Sequence, residues 1–246
     1  MRIIYGVNPV AEALRSPSGG IERIIFSESR QVPSSLMEAA KNKGVEIRKV
    51  PRHELDRLTG TDSHQGIAAV IRGEFGYKEI EELLKAWKNS GQKAFFLILD
   101  SIQDPQNLGS LIRAADAAGV HGVIIPKDRA CEVTPAVVKA SAGATEHTMI
   151  AREVNISRAI ERLKEANVWV VGIEAVGTRD IYSTDLDMDI AIVVGSEGRG
   201  IRRLVKEKCD MCVSIPMAGR LNSLNAAQAG AIAMFEAGRQ RLQKRR

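Results

Sequence analysis

The sequence predicts an α/β protein in which a parallel sheet, covered by helices on both faces, follows a smaller α/β domain. Short apolar runs of strand length alternate with helical stretches along most of the 246 residues. One charge-rich stretch with three glycines, residues 73–92, interrupts this alternation. We therefore expect a first domain at 1–72, a linker at 73–92 and a second domain at 93–246.

The first domain is predicted as a small α/β unit with its own core. Its strands contain apolar residues, and its longer helix is followed by Gly44, a common residue after a helix end. In order, the unit has a strand, a helix, a strand, a short helix and a strand, at residues 23–26, 33–43, 45–50, 51–58 and 66–71. The linker holds one amphipathic helix candidate at 78–88.

The second domain shows the same alternation more strongly. Its strands are almost wholly apolar, which is typical of parallel strands buried on both faces. Strands are predicted at residues 94–99, 122–125, 168–173, 190–194 and 212–215, and helices at 108–118, 135–140, 157–166, 201–206 and 223–242. Parallel sheets bind ligands at the loops beyond the carboxyl ends of their strands.

Three polar loops follow predicted strands of the second domain. The first contains Asn107 and Gly109 and leads into a helix that carries Arg113. The second has three glycines around Glu197, and the third runs from Ile215 to the last helix. Each loop taken alone has a simpler explanation. The first can be a helix cap with an ion pair between Arg113 and the acidic residue three positions later, the second a plain turn, and the third a helix cap. In the third loop, Asn222 and Ser223 are suited to cap the last helix, which explains much of that loop without a further function. Convergence of the three loops would instead indicate a binding site.

Other site classes are disfavoured by what the sequence contains. Cys209 and Cys212 form a lone pair without two further ligands at zinc spacing, so no metal is expected. Neither a phosphate-binding GxxxxGK[ST] motif nor a GxSxG nucleophile motif occurs. Three cysteines cannot form a disulfide framework, and no apolar run reaches about 18 residues, so we expect a cytoplasmic protein without a membrane span.

The charge of the chain permits an RNA partner without requiring one. The net charge is +5, and aromatic residues make up only 4% of the chain. Base stacking on aromatic platforms is therefore disfavoured as the means of RNA binding. The last eight residues carry five basic side chains, which favour a solvated helix end over a nucleic-acid contact.

Taken together, the three loops resemble the signature motifs of the SpoU/TrmH family of RNA ribose 2′-O-methyltransferases, which belong to the SPOUT class. The matches are N-x-G-x-x-x-R at 107–113, G-x-E-x-x-G at 195–200 and I-P-M-x-G-x-x-x-S-L-N at 215–225. Residues 4–14 and 63–67 resemble the small ribosomal-protein-like RNA-binding domain of the RlmB-like 23S ribosomal RNA branch. The resemblance thus spans nearly the whole chain.

This resemblance implies a catalytic domain with a deep trefoil knot whose loops bind S-adenosylmethionine. The positions that match functional residues of the family are Asn107, Arg113, Glu197, Ser223 and Asn225 for catalysis, and Gly195, Ile215, Met217 and Leu224 for the cofactor. Because arginine is effectively always protonated, we expect Arg113 to clamp a phosphate and stabilise the oxyanion rather than act as a base. Glu197 is expected to hold Asn107 or a substrate hydroxyl in place.

The implied activity is methylation of a ribose 2′-hydroxyl in ribosomal RNA, on a guanosine of the large-subunit RNA. A transfer RNA substrate ranks second, and an adenosine of ribosomal RNA is a further alternative. A catalytically silent RNA-binding or ribosome-assembly protein would be a different class, which cofactor binding would distinguish. The resemblance also implies a homodimer formed through the catalytic domain.

Overall fold

The computed structural model describes residues 1–17 and 20–243, which form two compact units. The first unit comprises Met1–Gly76 and Val133–His147. The second comprises Tyr77–Glu132 and the chain from Thr148 onward. Residues 244–246, which carry three basic side chains of the C-terminal run, lie outside the described part.

The elements follow one another in a regular α/β succession. The strands are β1 Arg2–Tyr5, β2 Ile21–Ser27, β3 Glu46–Val50, β4 Ile67–Ile71, β5 Phe95–Asp100, β6 Gly122–Pro126, β7 Ile150–Glu153, β8 Trp169–Ile173, β9 Arg179–Asp180, β10 Ile190–Gly195 and β11 Met211–Ser214. The helices are α1 Val7–Arg15, α2 Ser34–Asn42, α3 Arg52–Thr59, α4 Ile80–Ser90, α5 Pro105–Ala117, α6 Pro135–Ala140, α7 Ile156–Glu165, α8 Arg203–Lys206 and α9 Ala226–Gln243.

The first unit contains a sheet in the order β1-β4-β2-β3. Strand β4 runs antiparallel to both of its neighbours, whereas β2 and β3 are parallel. Side chains alternate across the sheet, so Ile24 and Phe26 join the core cluster that includes residues of α1 and α2, while Ile25 joins the cluster that includes Leu55 of α3. The five segments predicted for this domain correspond to β2, α2, β3, α3 and β4.

The second unit contains a sheet of seven strands in the order β7-β6-β5-β10-β8-β11-β9, counted over the described residues, and its pairings are parallel. This confirms the predicted α/β class with a parallel sheet. Every residue of β5 and β10 is buried, as expected for central strands covered on both faces. The carboxyl ends of β5, β8, β10 and β11 lie at the same edge of the sheet. The trefoil knot stays a prediction.

Helix α4 makes the segment 73–92 more than a linker. Ile80, Leu83 and Trp87 recur at three- and four-residue spacing, which places them on one face of the helix. All three are buried in the core cluster that also holds Phe96 of β5. The charge-rich composition that predicted a linker therefore describes only the solvated face of this helix.

The segment Val133–His147 departs from the prediction that residues 93–246 form one domain. Val138 of α6 belongs to the core cluster of the first unit, with residues of β1 and α1. Glu146, whose side chain is 4% exposed, accepts two hydrogen bonds from the Arg2 guanidinium at 2.9 and 2.8 Å. An apolar anchor and a bidentate ion pair, which only the tertiary structure brings together, thus tie this segment to the first unit.

No helix within residues 1–17 and 20–243 combines the length and apolar character that crossing a membrane requires.

Candidate active site

The three candidate loops leave the sheet of the second unit at its carboxyl edge, and helix caps fix two of them. The Asp104 side chain caps α5 by accepting a hydrogen bond from the backbone N–H of Asn107 at 2.9 Å. At the start of α9, Asn225 Oδ1 accepts hydrogen bonds from the backbone N–H groups of Ala227 at 2.8 Å and Gln228 at 3.3 Å. Such caps satisfy backbone donors at a helix start and hold the preceding loop in place.

The position of the α9 cap corrects one expectation. Asn222 and Ser223 were predicted to cap the last helix, but the helix begins at Ala226 and Asn225 is the capping residue. Asn222 and Ser223 instead lie in the loop that lines a cavity. The same amide of Asn225 thus serves both the helix and the site.

Asn107, Glu197 and Asn225 form a closed hydrogen-bond network that joins all three loops. Asn107 Nδ2 donates to Glu197 Oε1 at 3.0 Å, and Asn225 Nδ2 donates to Asn107 Oδ1 at 2.9 Å. Asn225 Nδ2 also donates to Glu197 Oε1. The carboxylate oxygen therefore accepts from two amides, and these charge-assisted bonds fix the orientation of both.

A cavity of about 600 Å³ lies beside this network. Of the nine residues predicted for the site, seven line it: Gly195, Ile215, Met217, Ser223, Leu224, Glu197 and Asn225. Its other lining residues are Ile173, Glu174, Ala175, Val194, Ser196, Gly198, Gly200, Asn222, Ala226 and Ala229. The wall combines apolar side chains with backbone groups of a glycine-rich loop, which suits a ligand that has both an apolar ring and polar edges.

The glycine-rich loop folds back on itself at the end of β10. Ser196 N–H donates to Gly200 O at 3.2 Å, and Gly200 N–H donates to Ser196 O at 2.9 Å. A side chain at Gly195 would place its Cβ 2.1 Å from the carbonyl carbon of Gly200. The close approach of these two backbone segments therefore requires glycine at 195.

Arg113 takes no part in the hydrogen-bond network and does not line the cavity. It is exposed on α5, and it has no hydrogen-bond or ion-pair partner among residues 1–17 and 20–243. The alternative ion pair with Asp116 does not form there. Of the five predicted catalytic residues, the structure thus brings together Asn107, Glu197 and Asn225 by hydrogen bonds, with Ser223 on the cavity wall.

Two acidic residues at this edge of the sheet carried no prediction. Asp100 ends β5 and is fully buried, and it accepts hydrogen bonds from the backbone N–H and Nε of Arg202, both at 2.7 Å. This pair ties the carboxyl end of β5 to the start of α8. Glu174 follows β8 and lines the cavity. Only their position could have indicated these two residues from the sequence, because each stands where a strand of the parallel sheet ends.

Cys209 and Cys212 lie beside β8, where their Sγ atoms would be 3.3 and 3.2 Å from a Cβ at Gly172. Burial raises the pKa of Cys209 to about 12 and also raises the pKa of Cys212. Burial thus favours the neutral thiol at both positions. Within the described part of the chain, no group of three or more His, Cys, Asp or Glu side chains is arranged to hold a metal ion.

Comparison with known proteins gives matches along both units. Residues 94–235 match the model of the SpoU rRNA Methylase family, and residues 3–74 match the model named RNA 2′-O ribose methyltransferase substrate binding. A Bacillus subtilis (strain 168) protein named as a TrmH family tRNA/rRNA methyltransferase is 43% identical over 243 residues, which cover 97% of this chain and 95% of that protein.

Two solved structures share the fold over nearly the whole chain. The SpoU methyltransferase AviRb from Streptomyces viridochromogenes, in complex with AdoMet, superposes with a TM-score of 0.81 at 24% identity, covering 98% of this chain and 90% of that one. The AdoMet-bound rRNA methyltransferase from Sinorhizobium meliloti superposes with a TM-score of 0.77 at 25% identity, covering 97% and 87%.

Proposed function

Because the chain belongs to the SpoU family of RNA methyltransferases, we propose that it transfers a methyl group from S-adenosylmethionine to a ribose 2′-hydroxyl of ribosomal RNA, on a guanosine of the 23S RNA. The observation that carries this proposal is the network of Asn107, Glu197 and Asn225 beside a cavity of about 600 Å³. It sets fixed polar groups next to a space for a cofactor, which is the arrangement that transfer between two bound substrates needs.

The cavity fits S-adenosylmethionine in size and chemistry. Its volume lies within the range of about 300–1,000 Å³ that is typical of small-molecule sites. Ile215, Met217 and Leu224 offer apolar surface for an adenine ring, and Gly195 also lines the cavity, where backbone groups can meet the polar edges of the ligand. We propose these four residues as the cofactor contacts. The cofactor supplies an activated methyl group on a sulfonium centre.

The residues of the network would align the target ribose. Glu197 uses one carboxylate oxygen to orient the amides of Asn107 and Asn225. Oriented amides can hold a ribose hydroxyl at a fixed distance, and such positioning is a large part of the rate gain when two substrates must meet. Ser223, on the same wall, adds a hydroxyl that can donate or accept a hydrogen bond.

Arg113 is proposed as the phosphate clamp. Its guanidinium is exposed and is engaged by no ion pair within the described residues, so it is available to an RNA backbone. Its place outside the cavity wall suits contact with the RNA rather than with the cofactor. A permanently charged guanidinium stabilises negative charge near the reacting oxygen but does not take up its proton.

Residues 3–74 match a substrate-binding model, which favours a separate domain that binds the RNA. We take this domain as support for ribosomal RNA over transfer RNA as the substrate. Transfer RNA is the second candidate, because the Bacillus subtilis relative is named for both RNA classes. We further propose a cytoplasmic enzyme that acts as a homodimer through its catalytic domain. Sedimentation of the full chain at micromolar concentration tests the dimer, and a monomer there would contradict it.

Labelled methyl transfer tests the substrate. The full chain is incubated with labelled S-adenosylmethionine and either protein-free large-subunit ribosomal RNA or bulk transfer RNA. We expect label in the ribosomal RNA at one position, with Glu197→Ala as the inactive control. Label in transfer RNA alone would contradict the ribosomal assignment. Binding of the cofactor without transfer to either RNA would contradict protein-free RNA as the substrate.

A further inference from the structure

Glu174 is a cavity residue that belongs to none of the three sequence motifs. It follows β8 and lines the cavity beside the glycine-rich loop, with 15% of its side chain exposed. Its Oε1 accepts a hydrogen bond from the backbone N–H of Ile201 at 3.0 Å. Its Oε2 accepts one from Lys206 Nζ at 3.0 Å. One carboxylate thus joins the end of β8, the end of the glycine-rich loop and helix α8.

The contact with Ile201 closes the base of the glycine-rich loop. The loop leaves β10 at Gly195 and returns to Ile201, and its two ends are held together by the hydrogen bonds between Ser196 and Gly200. Glu174 Oε1 would lie 3.1 Å from a Cβ at Gly200, so the carboxylate packs directly against this returning end. Glu197 lies between the two fixed ends of the loop, where it reaches the amide network.

The charge of Glu174 is balanced by Lys206. The hydrogen bond and the charge of Glu174 raise the pKa of Lys206, so the lysine stays protonated opposite the carboxylate. Both carboxylate oxygens are engaged by protein donors. The group is therefore suited to hold the loop as a hydrogen-bond acceptor, rather than to attract the positive charge of a ligand.

We propose that Glu174 is a positioning residue of the cofactor site, which holds the glycine-rich loop in its binding conformation through the Ile201 N–H. The inference rests on the proposed use of this cavity by S-adenosylmethionine. Without the acceptor, the Ile201 N–H loses a charge-assisted bond, and such bonds stabilise by about 1.5–3 kcal/mol, or tenfold and more in an equilibrium constant. The cofactor would then have to order the loop on binding.

Three substitutions separate positioning from charge and from general stability. Glu174→Ala removes the acceptor, and Glu174→Asp keeps the charge but shortens the side chain by one methylene. Glu174→Gln removes the charge and keeps one acceptor oxygen, which can still accept from the Ile201 N–H. Its NH2 group cannot accept from Lys206, whose side chain is 43% exposed and can turn to solvent. The matched control is Glu207→Ala, which removes another ion-paired glutamate: it accepts from Arg203 at 2.7 Å but does not line the cavity.

The test measures the Kd of the full chain for S-adenosylmethionine and S-adenosylhomocysteine by calorimetry, together with the Tm. We expect Glu174→Ala and Glu174→Asp to weaken binding of both ligands by about tenfold. Glu207→Ala should stay within about threefold of the unsubstituted chain. Glu174→Gln should weaken binding less than Glu174→Ala does, because a neutral bond to the Ile201 N–H replaces the charge-assisted one. In turnover, the KM for the cofactor should rise in the Ala and Asp variants, while the KM for RNA stays constant.

Each contrary outcome is decisive. Unchanged Kd values in the Asp variant would overturn the inference. This test can be made even if the Ala variant does not fold. If the Gln variant lost binding of S-adenosylmethionine but kept binding of S-adenosylhomocysteine, the inference would be overturned, because Glu174 would then contact the positive charge of the sulfonium. A lower Tm with unchanged Kd would reduce Glu174 to a purely structural role. Failure of the unsubstituted chain to bind either ligand would instead contradict the proposed function itself.

Discussion

Substitution of Asn225 by Asp should separate helix capping from catalysis. The Oδ1 of Asn225 caps α9 through the N–H groups of Ala227 and Gln228, while Nδ2 donates to Asn107 and Glu197. Aspartate retains an acceptor for the cap but has no amide donor for the network. It also sets a second carboxylate beside Glu197, where like charges repel.

The magnitudes follow from these contacts. Loss of a helix cap costs about 0.5–2 kcal/mol, so Asn225→Ala should lower the free energy of unfolding by about 1 kcal/mol. Aspartate also caps well, and its charge favours a helix start, so Asn225→Asp should unfold within about 1 kcal/mol of the unsubstituted chain. The bonds lost to Asn107 and Glu197 are exposed, so water replaces them at little cost to stability. Without the amide donor, however, the groups that align the ribose are no longer held in place, and such misplacement lowers kcat by about a hundredfold.

The assay combines chemical denaturation with labelled methyl transfer for both variants. We expect the Ala variant to lose stability and activity, and the Asp variant to lose activity alone. Full activity in the Asp variant would refute the role of the Asn225 amide donor. An unchanged free energy of unfolding in the Ala variant would refute the capping role instead.

Three further perturbations follow from the contacts of the second unit. Gly195→Ala should abolish cofactor binding in calorimetry, because its Cβ would lie 2.1 Å from a backbone carbon. The control, Gly238→Ala, adds a methyl group at an open position of a helix, so it should bind the cofactor and raise the free energy of unfolding by about 0.5–1 kcal/mol. Comparable binding by both variants would contradict the need for glycine at 195. Arg202→Met should lower the free energy of unfolding by about 2 kcal/mol in a denaturant titration, because it removes the side-chain donors that face the buried Asp100 carboxylate. An unchanged denaturation midpoint would contradict a stabilising role of the pair Asp100 and Arg202. Burial raises the pKa of Cys209 to about 12, so between about pH 9 and 12 the folded chain keeps a thiol proton that the unfolded chain loses, and the Tm should fall as the pH rises through this range. Cys209→Ala should make the Tm depend less on pH there. An equal dependence of Tm on pH in both proteins would contradict the role of Cys209.

The sequence predicted the sheet and the place of the site because both depend on local patterns. Apolar runs such as residues 94–99 and 190–194 correspond to β5 and β10, and in a parallel sheet their carboxyl ends must share an edge. The loops that carry Asn107, Glu197 and Asn225 therefore converge by topology alone. Their hydrogen-bond partners could not be predicted, because these depend on side-chain geometry between loops that are far apart in sequence.

The differences arise where long-range packing decides the structure. The stripe of Ile80, Leu83 and Trp87 was present in the sequence, but the charged residues around it favoured a linker. Val138 and Glu146 find their partners in residues of β1 and α1, which no local pattern of the later segment indicates. Glu174 is a single carboxylate directly after β8, and only its contacts with Ile201 and Lys206 distinguish it from a solvated loop residue.

The position of the transferred methyl group tests the central proposal most directly. Large-subunit ribosomal RNA labelled by the full chain is digested completely to nucleosides, which are then separated by chromatography and identified by mass spectrometry. We predict that the label is found in 2′-O-methylguanosine alone. Label on the base of any nucleoside would contradict ribose methylation, and label in a different 2′-O-methylnucleoside would contradict guanosine as the target.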